Sequence, residues 1–225
     1  MGEMIEFPSN GSVGQGYLAT PPGGGPGVVV IQEWWGLVPH IKDVCDRFAS
    51  EGFTALAPDL YRGKEVSEPD EAGKAAMAME AETAVRDMSG AVDELRRRAG
   101  SEKVAVVGFC MGGGLALTLA SRRPDAVVAC VPFYGVSLRP DLQPDYSSFE
   151  AAVLGHYAEL DQYCTPDAAR ALEARLKGLG REAEMHIYPG VDHAFFNDTR
   201  PEVYDAEASA TAWKRTIDFL HSHLG

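Results

Sequence analysis

The chain alternates between short apolar runs and longer segments whose apolar residues recur every three or four positions. The β-branched runs Val28–Gln32 and Val104–Val107 predict strands that are buried on both faces. The amphipathic segments Val38–Glu51 and Ala206–His223 predict helices that pack on those strands. Because strands and helices alternate, the pattern predicts an α/β fold with a mostly parallel sheet and helices on both faces, in one domain over residues 1–225.

The same patterns predict the other elements. Met4–Pro8 and Gly14–Thr20 predict an antiparallel strand pair that turns at Asn10-Gly11. Parallel strands end at the same edge of a sheet, so polar side chains that follow them are expected to share one site. Further strands are predicted over Phe53–Ala57, Ala126–Tyr134, Ala151–His156 and Glu182–Tyr188, further helices over Lys74–Gly100 (in one or two pieces), Leu115–Ala120 and Thr165–Leu179, and irregular segments over Glu65–Gly73 and Gly135–Glu150.

Charge and composition exclude several classes of protein. The net charge of −13 argues against nucleic acid and against an anionic membrane surface as partners. No apolar run approaches the roughly 18 residues of a membrane span, and no basic segment followed by an apolar one marks a signal peptide. The cysteines are scattered without a C-x-x-C pair, which favours reduced thiols and a cytoplasmic protein. The protein is expected to be a monomer or a small homo-oligomer. They are Cys45, Cys110, Cys130 and Cys164.

A glycine-rich connection carries the main candidate for chemistry. Gly108-Phe109-Cys110-Met111-Gly112 joins a predicted strand to a predicted helix and has the pattern G-x-C-x-G, the cysteine form of the nucleophile elbow. The elbow residue needs a positive φ, and side chains two positions before or after it would collide with neighbouring backbone. The helix N-terminus favours a thiolate. A buried structural cysteine is the alternative, whereas a phosphate loop is disfavoured because the G-x-G-x-x-G spacing is missing.

The remaining members of a triad would follow in the order acid, then histidine. Asp161 follows the predicted strand 151–156, and His193 follows the predicted strand 182–188. Glu159 and Asp167 remain alternatives for the acid, although Asp167 is expected in the first turn of a helix. The other histidines are predicted to lie on the surface; they are His40, His156, His186, His221 and His223.

Five motifs span nearly the whole chain: Gln32–Gly36, Ala57–Tyr61, Gly108–Gly113, Phe133–Gly135 and Asp192–Phe195. In combination they resemble the dienelactone hydrolase (carboxymethylenebutenolidase) family. The resemblance implies the α/β-hydrolase fold without a large cap domain. It also implies hydrolysis of a small-molecule lactone or ester through a cysteine thioester, with a triad of Cys110, His193 and Asp161 and no metal or organic cofactor.

The resemblance also implies roles for residues around the thiol. Glu33 would contact the resting thiol and be displaced when substrate binds. The backbone N–H groups of Met111 and Trp34 would hold the oxyanion. Side chains expected to contact substrate are Trp35, Tyr61, Arg62, Tyr134, Phe195 and Asn197.

One departure from the family affects the expected substrate. Characterised members bind a substrate carboxylate with two arginines, but the position four residues beyond His193 is Asn197, and the segment Glu65–Ala84 has no arginine. Arg62, Lys64, Lys74 and Arg200 remain alternatives to these arginines, or are ordinary surface charges. A neutral or differently shaped ester, lactone or thioester is therefore expected. The alternative function is a non-catalytic binding module on the same fold, responding to redox conditions through Cys110.

Overall fold

Eight strands form one sheet in this computed structural model, which describes residues 1–137 and 139–225. They are β1 (Glu3–Ser9), β2 (Ser12–Ala19), β3 (Gly27–Ile31), β4 (Thr54–Pro58), β5 (Val104–Phe109), β6 (Val127–Phe133), β7 (Ala152–Ala158) and β8 (Ala183–Tyr188). Their order across the sheet is β1-β2-β4-β3-β5-β6-β7-β8.

The sheet is parallel from β4 to β8, and β1 and β2 add an antiparallel edge. Asn10 and Gly11 both have positive φ, 40° and 93°, as a tight hairpin between β1 and β2 requires. The predicted hairpin and the predicted parallel sheet are confirmed. Because β3 to β8 run the same way, the loops that follow β3, β5, β6, β7 and β8 meet at one edge.

Helices cover both faces of the sheet. They are α1 (Pro39–Ser50), α2 (Pro69–Ala78), α3 (Ala81–Ala99), α4 (Met111–Arg122), α5 (Pro166–Gly178) and α6 (Ala206–Leu224), with a short 3₁₀ helix at Pro140–Leu142. The side chains of α3, α4 and α5 share one buried cluster with alternate strand residues such as Val29 and Val106. Those of α1 and α6 share the opposite cluster with Val28 and Val107. Within the described ranges, no helix is both long and apolar enough to cross a membrane.

The segment before α3 differs from the prediction. The helix α2 begins at Pro69, inside the segment predicted to be irregular. Proline at the first helical position followed by Asp70 and Glu71 is a helix-start pattern, because the missing N–H costs nothing there and the acids face the positive end of the helix. A second start at α3 is capped by Glu80, whose carboxylate accepts the N–H groups of Glu82 and Thr83.

Two histidines that were predicted on the surface are buried. His156 lies on β7 with no exposed surface, and its ring nitrogens are 2.9 Å from the Tyr188 hydroxyl and 3.0 Å from Thr216 Oγ1. Burial lowers its pKa well below the usual value, so this ring is neutral. His40 is 2% exposed and packs edge-on against the rings of Phe109 and Phe196, with Nδ1 3.3 Å from Asp198 Oδ1. The surface prediction is wrong for both, because each ring packs against aromatic residues that are distant in sequence.

Candidate active site

The elbow forms as its spacing predicts. Cys110 lies between the last residue of β5 and the first residue of α4, with φ 55° and ψ −118°. Its N–H donates a 3.0 Å hydrogen bond to the Phe133 carbonyl, which fixes the turn to the end of β6. The side chain is half-buried, so the sulfur is held at the edge of the sheet and remains open to a small molecule.

Glycine is required on both sides of the elbow. A Cβ on Gly108 would collide with the carbonyl of Gly112, and a Cβ on Gly112 would collide with the carbonyls of Ile31 and Gln32. These are backbone atoms that cannot rotate away, so the close approach of α4 to β3 and β5 depends on the missing side chains.

Gly112→Ala is therefore expected to destabilise the fold by about 2–3 kcal/mol, as overpacking in a dense core does. Gly73→Ala is the matched control, because Gly73 also lies in a helix but a Cβ there would meet no atom within 4 Å. That variant is expected to gain about 0.5–1 kcal/mol from the better helix propensity of alanine. Urea unfolding of both variants measures the difference, and equal effects would contradict the packing argument.

The acid and the histidine meet beside the elbow. His193 Nδ1 lies 2.7 Å from Asp161 Oδ2, and the Asp161 carboxyl is almost fully buried. Asp161 Oδ1 accepts the backbone N–H groups of Tyr163 and Cys164 at 2.7 Å and 2.9 Å. Burial raises the pKa of Asp161, but the hydrogen bond from His193 and these backbone N–H groups outweigh it and lower the pKa. Asp161, rather than Glu159 or Asp167, is thus the acid that pairs with this histidine.

His193 also interacts with the nucleophile candidate. Burial lowers the pKa of His193, but the hydrogen bond to Asp161 and the interactions with Cys110 raise it to about 10. A histidine that is paired with a carboxylate and interacts with a cysteine is an arrangement that can activate the cysteine for attack. The structure therefore pairs Asp161 with His193, and Cys110 acts on the same histidine.

A second thiol lies beside the acid and the histidine. A carboxylate oxygen of Asp161, the sulfur of Cys164 and a ring nitrogen of His193 all lie within 4.8 Å of one another. Burial, followed by the negative charges of Asp161 and Cys110, raises the pKa of the Cys164 thiol to about 12. Cys164 is therefore a neutral thiol at neutral pH, whereas Cys110 stands half-exposed at the helix N-terminus. Of the two, Cys110 is suited to be the nucleophile.

Glu33 lies at the end of β3, where it was predicted, but its carboxylate has other partners than the thiol. It accepts the side-chain N–H of Asn197 at 2.8 Å and the hydroxyl of Tyr134 at 3.4 Å. Glu33 is 1% exposed, and within residues 1–137 and 139–225 no hydrogen bond joins it to Cys110. The contact with the resting thiol that the resemblance implies stays a prediction.

Two backbone N–H groups, one at the elbow and one in the loop after β3, have no hydrogen-bond partner among residues 1–137 and 139–225. Met111 is the first residue of α4, where an N–H has no partner inside the helix. Trp34 follows Glu33 in the loop after β3, and neither N–H has an acceptor in the part of the chain that the structure describes. Free donors beside a nucleophile are what an oxyanion requires.

The side chains predicted to contact substrate fall into two groups. Trp35 and Tyr61 are half-buried: Trp35 packs edge-on against Trp34 at 5.1 Å, and the Tyr61 hydroxyl lies 3.6 Å from Met111 Sδ. The other four are placed differently: Tyr134, Phe195 and Asn197 are buried, and the exposed Arg62 donates to the carboxylate of Asp87 at 3.0 Å. Periodicity gave no signal for this burial, because it comes from the packing of separate loops.

Two residues near the site, Tyr163 and Arg139, were not predicted as part of it, and Arg200 was left open as a cation that could bind a substrate carboxylate. The Tyr163 ring is 74% exposed and lies 5.8 Å from the His193 ring. Arg139 donates to the carbonyls at the end of α2, and its charge acts on Tyr61. Arg200 lies 5.7 Å from the Trp35 ring. Tyr163 follows Asp161 by only two positions, which is the one signal in the sequence that could have found it.

Strained backbone is concentrated in these loops. Cys110, Tyr134 and Ala194 are non-glycine residues with positive φ, of 55°, 36° and 65°. They lie in the loops that follow β5, β6 and β8, which are the loops that form the site. Positive φ at residues with a side chain persists only where the surrounding structure enforces it.

Comparison with known proteins shows the family to which the chain belongs. The family model described as "Dienelactone hydrolase family" matches residues 15–224. The chain belongs to the dienelactone hydrolase family. Among its relatives, "Protein usf" of Aquifex pyrophilus is 39% identical over 232 residues, covering 100% of both chains. A protein of Aquifex aeolicus named "Putative carboxymethylenebutenolidase" is 36% identical over 233 residues, again covering 100% of both.

The fold of this chain is similar to that of a solved structure. The crystal structure of a "Putative Dienelactone Hydrolase" from Klebsiella pneumoniae is similar with a TM-score of 0.89 at 26% identity, covering 99% of each chain. The predicted α/β-hydrolase fold without a large cap domain is confirmed. As a member of the dienelactone hydrolase family, the protein is a hydrolase of lactones or esters that acts on a small-molecule substrate.

Proposed function

We propose that this dienelactone hydrolase family member hydrolyses small lactones or esters through a thioester on Cys110. His193 is the proton carrier, and Asp161 orients it. The observation that carries the proposal is the position of His193, which interacts with the Cys110 sulfur at the elbow and lies 2.7 Å from Asp161. Nucleophile, base and orienting acid are the three parts that acyl transfer needs.

In the first step the Cys110 thiolate attacks the carbonyl carbon of the substrate. The N–H groups of Met111 and Trp34 stabilise the oxyanion that forms. When the tetrahedral intermediate collapses, the C–O bond to the alcohol portion breaks, and the His193 imidazolium gives its proton to the departing oxygen. The acyl group then stays on sulfur as a thioester, and His193 is neutral.

The second step uses the same histidine in the opposite direction. Acylation removes the negative charge and the hydrogen bond of the thiolate, two of the causes that hold the pKa of His193 at about 10. A neutral imidazole is thus available to accept a proton from water. The hydroxyl oxygen attacks the thioester carbon, the C–S bond breaks, and the thiolate and imidazolium are regenerated with release of the carboxylic acid.

The charges around the site favour a neutral substrate. Each arginine near the site has a carboxylate partner: Arg62 pairs with Asp87, Arg139 with Asp141 and Arg200 with Glu202. The Asn197 amide is bonded to Glu33 and is buried. An anionic lactone would have to compete with these partners, whereas Trp35 and Tyr61 offer apolar surface to a neutral ring.

The test is to mix the protein with p-nitrophenyl acetate and follow both products. We expect a burst of nitrophenolate, an acetyl group on the peptide that contains Cys110, and continuing turnover. In a substrate series, kcat/KM should be higher for neutral lactones than for an anionic dienelactone, by about tenfold for one lost ionic contact. Absence of both adduct and turnover would contradict the proposal and favour a binding module.

A further inference from the structure

Three different kinds of metal-binding atom meet beside the elbow. A carboxylate oxygen of Asp161, the sulfur of Cys164 and a ring nitrogen of His193 all lie within 4.8 Å of one another. Zinc binds these atoms at about 2.0–2.2 Å for oxygen and nitrogen and about 2.3 Å for sulfur, which puts the ligand atoms of a tetrahedral site about 3.3–3.6 Å apart. Movements of about 1 Å would therefore bring the three side chains to the spacing of a zinc site.

The carboxylate and the imidazole are oriented by their neighbours. Asp161 Oδ1 accepts the backbone N–H groups of Tyr163 at 2.7 Å and Cys164 at 2.9 Å. The other oxygen, Oδ2, faces His193 Nδ1 at 2.7 Å and is the one left for an ion. The rings of Tyr134 and Tyr163 pack edge-on against the His193 ring at 5.1 Å and 5.8 Å. Ligands that are oriented by such outer contacts bind a metal more tightly.

The cluster has a buried side and an accessible side. Cys164 is 3% exposed and shares a small buried cluster with Tyr157 and Ala169. The side chain of His193 is 18% exposed, so an ion can reach the cluster from solvent on this side. Three protein ligands with a water in the fourth position are the coordination of zinc sites that keep an open side.

The combination is specific to this place in the fold. Among residues 1–137 and 139–225, it is the one group of three histidine, cysteine, aspartate or glutamate side chains whose ligand atoms lie this close together. The elbow thiol of Cys110 is not a member of the group. A thiolate, an imidazole and a carboxylate together suit zinc better than calcium or magnesium, which prefer oxygen ligands alone.

We propose that Asp161, Cys164 and His193 form a binding site for a zinc ion. On binding, the Cys164 thiol and the coordinating ring nitrogen of His193 each release a proton to solvent, because zinc takes a thiolate and an unprotonated imidazole nitrogen. The imidazole is then held by the ion and no longer carries protons for hydrolysis, so zinc inhibits reversibly. Binding needs only the three ligands, whereas the inhibition rests on the proposed roles of His193 and Asp161.

The first test uses Co²⁺ as a coloured substitute for zinc in the whole protein. Thiolate bound to Co²⁺ gives a charge-transfer band in the near ultraviolet. We expect about one equivalent of Co²⁺ to give this band in wild type and in Cys110→Ser, and Zn²⁺ to abolish it by displacement. In Cys164→Ala and Cys164→Ser the band should be absent, because the sulfur ligand is gone. Agreement of the two variants guards against a folding defect in either one.

The second test is inhibition of p-nitrophenyl acetate hydrolysis by Zn²⁺, with each variant compared with its own metal-free rate. Wild type should lose activity with zinc and recover it when EDTA is added. Cys164→Ala should raise the inhibitory zinc concentration by about 100-fold or more, because loss of an outer partner alone costs a metal site about 10–100-fold in affinity. Cys45→Ala is the matched control, since Cys45 is a buried thiol in α1 outside the group, and its inhibition should match wild type.

The two tests also separate this site from the proposed function. A cobalt band that persists in Cys164→Ala and disappears in Cys110→Ser would place the ion on the elbow thiol and overturn the proposal. Absence of the band in wild type, or equal inhibition of wild type and Cys164→Ala by zinc, would overturn it as well. If the band depends on Cys164 in a protein that hydrolyses no ester, the zinc site is supported and only the proposed function is contradicted.

Discussion

Cys110→Ser is expected to lower kcat/KM for p-nitrophenyl acetate by about 10³-fold or more, because a hydroxyl does not ionise beside His193 as a thiol does. The substitution changes one atom and keeps the backbone that the elbow requires. Initial rates of nitrophenolate release measure the effect. Over the time of that measurement, no acetyl adduct should form on the peptide that contains residue 110.

The fold should survive this change. Cys110 is half-buried and serine has nearly the same volume, so the free energy of unfolding should shift by less than about 1 kcal/mol. Urea unfolding alongside the rate measurement distinguishes lost chemistry from lost structure. Turnover close to wild type in Cys110→Ser would exclude this residue as the nucleophile.

His193→Ala is expected to slow both steps of the reaction by about 10³-fold, since one imidazole serves acylation and deacylation. Stopped-flow measurement of the nitrophenolate burst gives the first rate, and decay of the acetyl adduct gives the second. His221→Ala is the matched control, because His221 is an exposed histidine in α6. A normal decay of the adduct in His193→Ala would contradict the role of His193 in deacylation.

The pH profile gives an independent check on His193. Its pKa is raised from 6.5 to about 10, so the protonated form persists through neutral pH and is lost as the pH rises through about 10. With an alkyl ester, whose leaving oxygen needs a proton, kcat/KM should fall on an alkaline limb near pH 10. Asp161→Asn removes a hydrogen bond and a negative charge that raise this pKa, so the limb should move to lower pH. A limb that stays in place would show that Asp161 does not act on His193.

The catalytic part of the site could be predicted from the sequence because its signals are local. Gly108 and Gly112 fix the elbow around Cys110, and Asp161 and His193 each follow a strand whose pattern is visible over a few residues. Parallel strands then carry all of these residues to one edge of the sheet. The fold and the pairing of Asp161 with His193 followed from these features, whereas the family was inferred from the resemblance of five motifs.

The surroundings of the site could not be predicted in the same way. Asn197 was assigned to the substrate, yet its amide holds a carboxylate 164 residues away, and no short-range pattern encodes such a contact. Tyr134 and Phe195 looked like pocket walls because they adjoin the motifs, but packing buries both. Arg139 belongs to an irregular segment and finds its partners at the end of α2. Each of these placements depends on how separate loops pack.

The positive φ angles of Cys110, Tyr134 and Ala194 have a consequence for the evolution of this enzyme. Each such residue costs about 1–3 kcal/mol, a sizeable part of the 5–15 kcal/mol by which a typical domain resists unfolding. Selection for heat resistance alone would therefore favour glycine at these positions, and a looser catalytic edge would follow. In thermophilic organisms that retain the activity, stabilising substitutions must therefore occur far from this edge, in helices and outer loops.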